Sequence, residues 1–190
     1  MKPVILASKS PRRRKLIREA GIPFITAVSR ADETTTLKRP SAIVTALAFR
    51  KAKEIAVKYP EHRVIGADTL VVCKGEIIGK PKNKNDALRM LRRQNGAWQS
   101  VYTGIAVVYG VKEFSGYALS RCKARKLSER ELRGLAGKHM DKAGAYAVQD
   151  SSDIFIERIV GRFDNVVGFP MNLVRKLLRK TGYKVEKLKS

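Results

Sequence analysis

The chain has 190 residues, 44% of them apolar, and 40 Lys and Arg against 17 Asp and Glu give it a formal charge of +23. That length and apolar content suit one α/β domain whose core needs no disulfide or metal staple. Two cysteines without ligand spacing and two histidines, His62 and His139, exclude a cysteine- or histidine-rich metal centre, and no apolar run is long enough for a transmembrane helix.

Residues 3–7 read as a first strand and 10–20 as a helix. Ser10 is a good N-cap, Pro11 suits the first helical position, and Gly21 with Pro23 closes the helix after Leu16, Ile17 and Ala20. The apolar stretch before the helix is too short for a secretory signal, so a cytoplasmic protein is expected. Arg12, Arg13 and Arg14 fill the first turn, where the helix dipole favours acids. Such a turn is either a solvated basic surface or an anion site, in which backbone N–H groups and arginine forks receive phosphate.

A short strand at Phe24 to Val28 precedes a polar loop, Ser29 to Arg39, that carries Asp32 and Glu33. A second helix from Pro40 to about Lys58 buries Val44, Leu47, Ala48 and Ile55. Lys51 falls on that stripe, so it either snorkels outward or points its amine into a cleft. Val64 to Val72 reads as a buried strand that turns at Lys74-Gly75 into Glu76 to Ile78. Within it stands Asp68, a costly carboxylate to bury alone. Asp68 is open to three readings: a structural aspartate, a metal-holding carboxylate or a general base, with Gly66 and Ala67 leaving room for a ligand. Lys80 and Lys82 lie in the Gly79-Lys80-Pro81-Lys82 loop.

A helix follows over Lys84 to Arg93, and strands over Trp98 to Tyr109 and Val111 to Arg125. Ser128 and Glu131 form a capping box for a short helix ended by Gly137. Strands are expected at Ala145 to Gln149 and Ile154 to Ile159, then a helix opened by Pro170 and stopped by Gly182, and a final edge strand over Tyr183 to Leu188. Cys73 and Cys122 fall in strands and are expected as buried free thiols. Gln149 presents an amide donor and acceptor, which suits the imide edge of uracil or thymine. Strands mixed with helices and hairpins indicate a mixed-sheet α/β architecture.

In order along the chain stand Leu6-Ala7-Ser8-Lys9-Ser10-Pro11-Arg12-Arg13, Asp32-Glu33, Lys51-Ala52, Gly66-Ala67-Asp68-Thr69, Gly79-Lys80-Pro81, Thr103-Gly104, Asp141-Lys142-Ala143-Gly144-Ala145-Tyr146 and Asn165-Val166-Val167-Gly168-Phe169-Pro170. Together they resemble the Maf family of nucleoside triphosphate pyrophosphatases over nearly the whole of residues 1–190, read as a single domain. The resemblance implies an elongated mixed sheet flanked by helices, with two lobes around a cleft, as in the inosine triphosphate pyrophosphatases. It implies hydrolysis of a nucleoside triphosphate to monophosphate and pyrophosphate with a divalent cation, Mg²⁺ or Mn²⁺. It makes Asp68 the base, Glu33 and Asp68 the metal carboxylates, and Ser8, Ser10, Arg12, Arg13, Lys51 and Lys80 the phosphate contacts. Arg12, Thr69 and Gln149 look like the branch that prefers dTTP and UTP, with related modified pyrimidine triphosphates as further substrates. A homodimer is the assembly it suggests.

Two departures stand out: Gln99 where the family often has histidine, and the high charge, from which non-specific affinity for nucleic acid is expected. That charge also motivates a rival reading, a basic nucleic-acid-binding module without catalytic activity. A third reading is an inactive relative that binds nucleotide as a regulator.

Overall fold

Strand β1, Val4–Ala7, is buried at all four positions because each of its faces meets a different helical layer. A computed structural model of the chain describes residues 2–146, 148 and 154–184. Among them the elements run β1, α1 (Pro11–Glu19), β2 (Phe24–Thr26), α2 (Pro40–Ala56), β3 (Val64–Cys73), β4 (Glu76–Ile78), α3 (Lys84–Gln94), β5 (Trp98–Tyr109) and β6 (Lys112–Ala124). They continue with α4 (Glu129–Leu135), a 3-10 turn at Ala143–Ala145, β7 (Ile156–Val160), α5 (Phe163–Val167) and α6 (Met171–Lys180). The strands form one mixed sheet ordered β2-β1-β3-β5-β6-β7, with β4 also on β3. β1 pairs parallel with β2 and β3, whereas β4 on β3 and β7 on β6 are antiparallel.

The chain divides into two compact units. The first comprises Met1–Asp68, Thr103–Ala118 and Gly168–Ser190. On one face of its sheet Val4, Leu6, Ile65, Ile105 and Val107 pack against Ile17 of α1 and Val174, Leu177 and Leu178 of α6. On the other face Ile5, Ala7, Val64, Ala106 and Val108 pack against Ala48, Ala52 and Ile55 of α2. Helix α2 lies so close that a Cβ on Gly66 would stand 2.7 Å from Ala52 N and inside the van der Waals shell of Ala48 O. A Cβ on Gly104 would meet Val44 and Thr45 in the same way. The space expected to admit a ligand at Gly66 is therefore filled by helix backbone.

The second unit comprises Thr69–Tyr102 and Leu119–Val167. Its core joins Ala87 and Leu91 of α3 to Leu132 and Leu135 of α4 and to Phe155. A second cluster gathers Val71, Cys73, Ile78, Val101 and Cys122, and both thiols are free and buried, as expected.

Residues 145–149 depart from the expected strand where they are described. Gly144 and Ala145 adopt positive φ, the Gly144 amide donates to Gly79 O (3.1 Å), and the buried Gln94 amide donates to Gly144 O (2.8 Å). These partners replace a strand ladder; Gln149 and the chain to residue 153 lie outside the described residues. β7 begins two residues later than expected, and α5 was not foreseen, since five residues carry too little periodicity to register. Tyr183 and Lys184 are irregular, and the rest of the expected edge strand, from residue 185 on, lies outside the described residues. Among the described residues no helix is long and apolar enough to cross a membrane.

Candidate active site

The first unit brings the end of β1, the start of α1, the 29–39 loop, α2 and Asp68 in mid-β3 to one place. Ser10 caps α1, its hydroxyl accepting from Arg13 N. The crowded basic turn is answered at Arg13. Its guanidinium donates to Gly168 O (2.9 Å), Ala67 O (2.9 Å) and Ser8 Oγ (3.2 Å). Ser8 Oγ also accepts from Ser10 N at 3.2 Å, so the buried serine is fixed from two sides. Burial, chiefly, and then the neighbouring Arg12 draw the Arg13 pKa down to about 10, against the opposing pull of Asp68 and Glu33. Arg13 stays charged at neutral pH and holds the carbonyl next to Asp68.

Lys51 does not snorkel. With its side chain 14% exposed, its Nζ donates to Asp68 Oδ1 at 2.6 Å and to Glu33 Oε1 at 2.8 Å. Three chain segments far apart in sequence thus meet on one ammonium. Desolvation raises the Asp68 pKa above 3.8, outweighing the attraction of Lys51 and Arg13, and the Glu33 charge adds to the rise. A carboxyl with that balance is a better proton acceptor than an ordinary aspartate, provided it is ionised.

Asp32, the other loop acid, turns to its own chain. Its carboxylate accepts from Thr34 N (2.9 Å) and the Thr34 hydroxyl, and those bonds hold its pKa below the usual value. Arg12 is half-buried beside Arg13. Thr69 follows Asp68 on β3 and is half-buried; Lys80 is exposed in the loop between β4 and α3; both belong to the second unit. Sequence reasoning overlooked Arg50 and Glu54 of α2, which bond the loop on either side of Glu33. Their i,i+4 spacing reads as an ordinary surface pair, and only their position flanking Lys51 hinted otherwise.

Among the described residues no group of three or more His, Cys, Asp or Glu is placed to hold a metal. The pair that converges on Lys51, two carboxylates, is nonetheless the donor set that hard divalent cations take when phosphate oxygens and water complete the shell. The residues present fit such an ion.

A sequence model described as Maf-like protein matches residues 3–181. A dTTP/UTP pyrophosphatase of Elusimicrobium minutum is 53% identical over 182 residues, spanning 95% of this chain and 99% of the relative. Proteins of the same name from Symbiobacterium thermophilum and Deinococcus radiodurans are each 40% identical, the first over 97% of both chains and the second over 94% of this chain and 93% of its own. The solved structure of the Staphylococcus aureus Ham1 protein shares the fold, with a TM-score of 0.56 at 10% identity over 95% of this chain and 98% of that one. The family match takes in every segment that meets at Lys51, and the chain belongs to the family of Maf-like proteins.

Proposed function

We propose that the chain hydrolyses dTTP and UTP, and related modified pyrimidine triphosphates, to the monophosphate and pyrophosphate. The observation that carries this reading is the convergence of Glu33 and Asp68 on Lys51, in the unit where the turn from β1 into α1 carries Ser8, Ser10 and Arg13. The activity and substrate class follow the name that the similar relatives share.

Water attacks the α-phosphorus, the bond from that phosphorus to the oxygen bridging to the β-phosphate breaks, and pyrophosphate leaves. Asp68 takes the proton of the attacking water. Ser8, Ser10, Arg12, Arg13 and Lys51 bind the phosphates. Positioning and neutralisation of charge dominate phosphoryl chemistry, and fixed cations stabilise the departing pyrophosphate without reorganising. Glu33 and Asp68 would hold a divalent cation, Mg²⁺ or Mn²⁺, which supplies Lewis-acid neutralisation of phosphate charge when bound. Arg12 takes part in selecting the pyrimidine. The whole chain serves as one catalytic domain, acting in the cytoplasm on the nucleotide pool as a homodimer. The +23 charge supports an accompanying non-specific affinity for nucleic acid.

The test is a panel of nucleoside triphosphates with Mg²⁺, reading pyrophosphate and monophosphate together. Equal release of the two from dTTP and UTP, above that from purine triphosphates, is expected. Release of orthophosphate instead, or tight salt-sensitive nucleic-acid binding without turnover, would overturn the reading.

A further inference from the structure

The loop bearing Glu33 has almost nothing to hold it by packing. Residues 27–38 form no helix or strand, none of them is buried, and the Glu33 side chain is 62% exposed. A carboxylate on such a segment would sample many positions, yet this one stands 2.8 Å from Lys51.

Helix α2 supplies the restraint. Glu54 accepts from Ser29 Oγ (2.5 Å) and Arg30 N (2.8 Å) on the N-terminal side of the turn. Ser29 Oγ in turn accepts from Ala31 N (3.1 Å). Arg50 donates to Thr34 O (2.6 Å) and Asp32 O (3.4 Å), the carbonyls on either side of Glu33. Asp32 closes the turn through Thr34. Positions 50, 51 and 54 share one helix face, so a single rigid element grips the loop before Glu33, after it and at Glu33 itself. The Glu54 carboxyl lies below its usual pKa, first through the Ser29 hydroxyl bond, and stays ionised to accept these donors.

We propose that Arg50 and Glu54 are positioning residues that lock the Asp32–Glu33 turn onto α2 and so present the Glu33 carboxylate beside Asp68. Both act through Glu33, and the inference rests on the hydrolase reading for what Glu33 does once placed. Charged hydrogen bonds suit the task, since a loop without buried apolar residues lacks a packing tether.

The test has two arms. In the first, Arg50→Gln and Glu54→Gln are exposed to trypsin and cleavage after Arg30 is timed, with thermal unfolding monitored alongside. Cleavage at least tenfold faster at an unchanged unfolding midpoint is expected; an unchanged rate overturns the proposal. In the second, each variant is combined with Glu33→Gln in the pyrophosphate assay. Losses of about tenfold for each single variant, absent in the Glu33→Gln background, are expected because all act through one carboxylate. Arg50→Lys, which keeps a cationic nitrogen able to donate to both carbonyls, should recover part of the loss. Losses that multiply in the double variants overturn the proposal. If the wild-type chain releases no pyrophosphate, the hydrolase reading fails by itself and the trypsin arm alone decides the clamp.

Discussion

Gly66→Ala tests how the fold sets the site. The added methyl would stand 2.7 Å from Ala52 N, and closer still to Ala48 O. Ordinary contact starts at 3.4 Å, so helix backbone must give by more than half an ångström, with no flexible side chain to absorb the change. Helix α2 is pressed equally hard onto Gly104, which resists a simple tilt. Overpacking of this kind costs about 1–3 kcal/mol, and backbone atoms on both sides of the clash put this case at the upper end. With a urea m-value of about 1–3 kcal/mol/M, the midpoint should fall by roughly 1 M. The same displacement separates Lys51 from Asp68, which are now 2.6 Å apart. A misplacement of about 1 Å at a phosphoryl-transfer site lowers turnover on the order of 100-fold. Urea titration and the pyrophosphate assay read both effects. A Gly66→Ala protein with an unchanged midpoint and turnover within twofold of wild type would refute the close-packing argument.

Lys51→Met should lower turnover by about 10²–10³-fold, yet bind Mn²⁺ more tightly without nucleotide, because the ammonium no longer competes for the Glu33 and Asp68 oxygens; titration followed by electron paramagnetic resonance checks this. Asp68, whose pKa is raised on folding, contributes stability that is complete below 3.8 and is lost as pH rises through its folded value. In metal-free protein, the unfolding free energy of wild type minus Asp68→Asn should therefore fall as pH climbs from 4 towards 7, and a rise would contradict the burial argument. The Cys122 thiol, pushed up to about 12 by burial, should react with a thiol reagent at pH 8 only as the protein unfolds. Arg63→Ala should cost about 1–3 kcal/mol in urea, since its guanidinium bonds Thr181 and stacks on Tyr109 and Tyr183.

Much of the fold was legible because local rules and tertiary packing agree. The Ser10 cap with Pro11, the Ser128–Glu131 capping box, the buried face of α2 and the hairpin at Gly110 all stand where their residues indicate. The 3-10 turn at Ala143–Ala145 was not legible, since it depends on Gln94, fifty residues away. The site was legible in part. Lys51 betrayed itself as a cation on an apolar stripe and Asp68 as an acid in a buried strand. The tie between them and Glu33 needs three segments to meet, which spacing alone does not disclose. The three first-turn arginines suggested an anion; Arg13 in addition binds two carbonyls and a serine. That architectural use is invisible until β3 and Gly168 are placed beside α1.

The proposed hydrolysis depends above all on the carboxylate at position 68. Purified wild type and Asp68→Asn should be compared for pyrophosphate release from dTTP and UTP with Mg²⁺, with circular dichroism as the check on folding. If Asp68 takes the proton of the attacking water, the variant folds and its release falls to background. A folded variant that turns over near the wild-type rate would contradict that role.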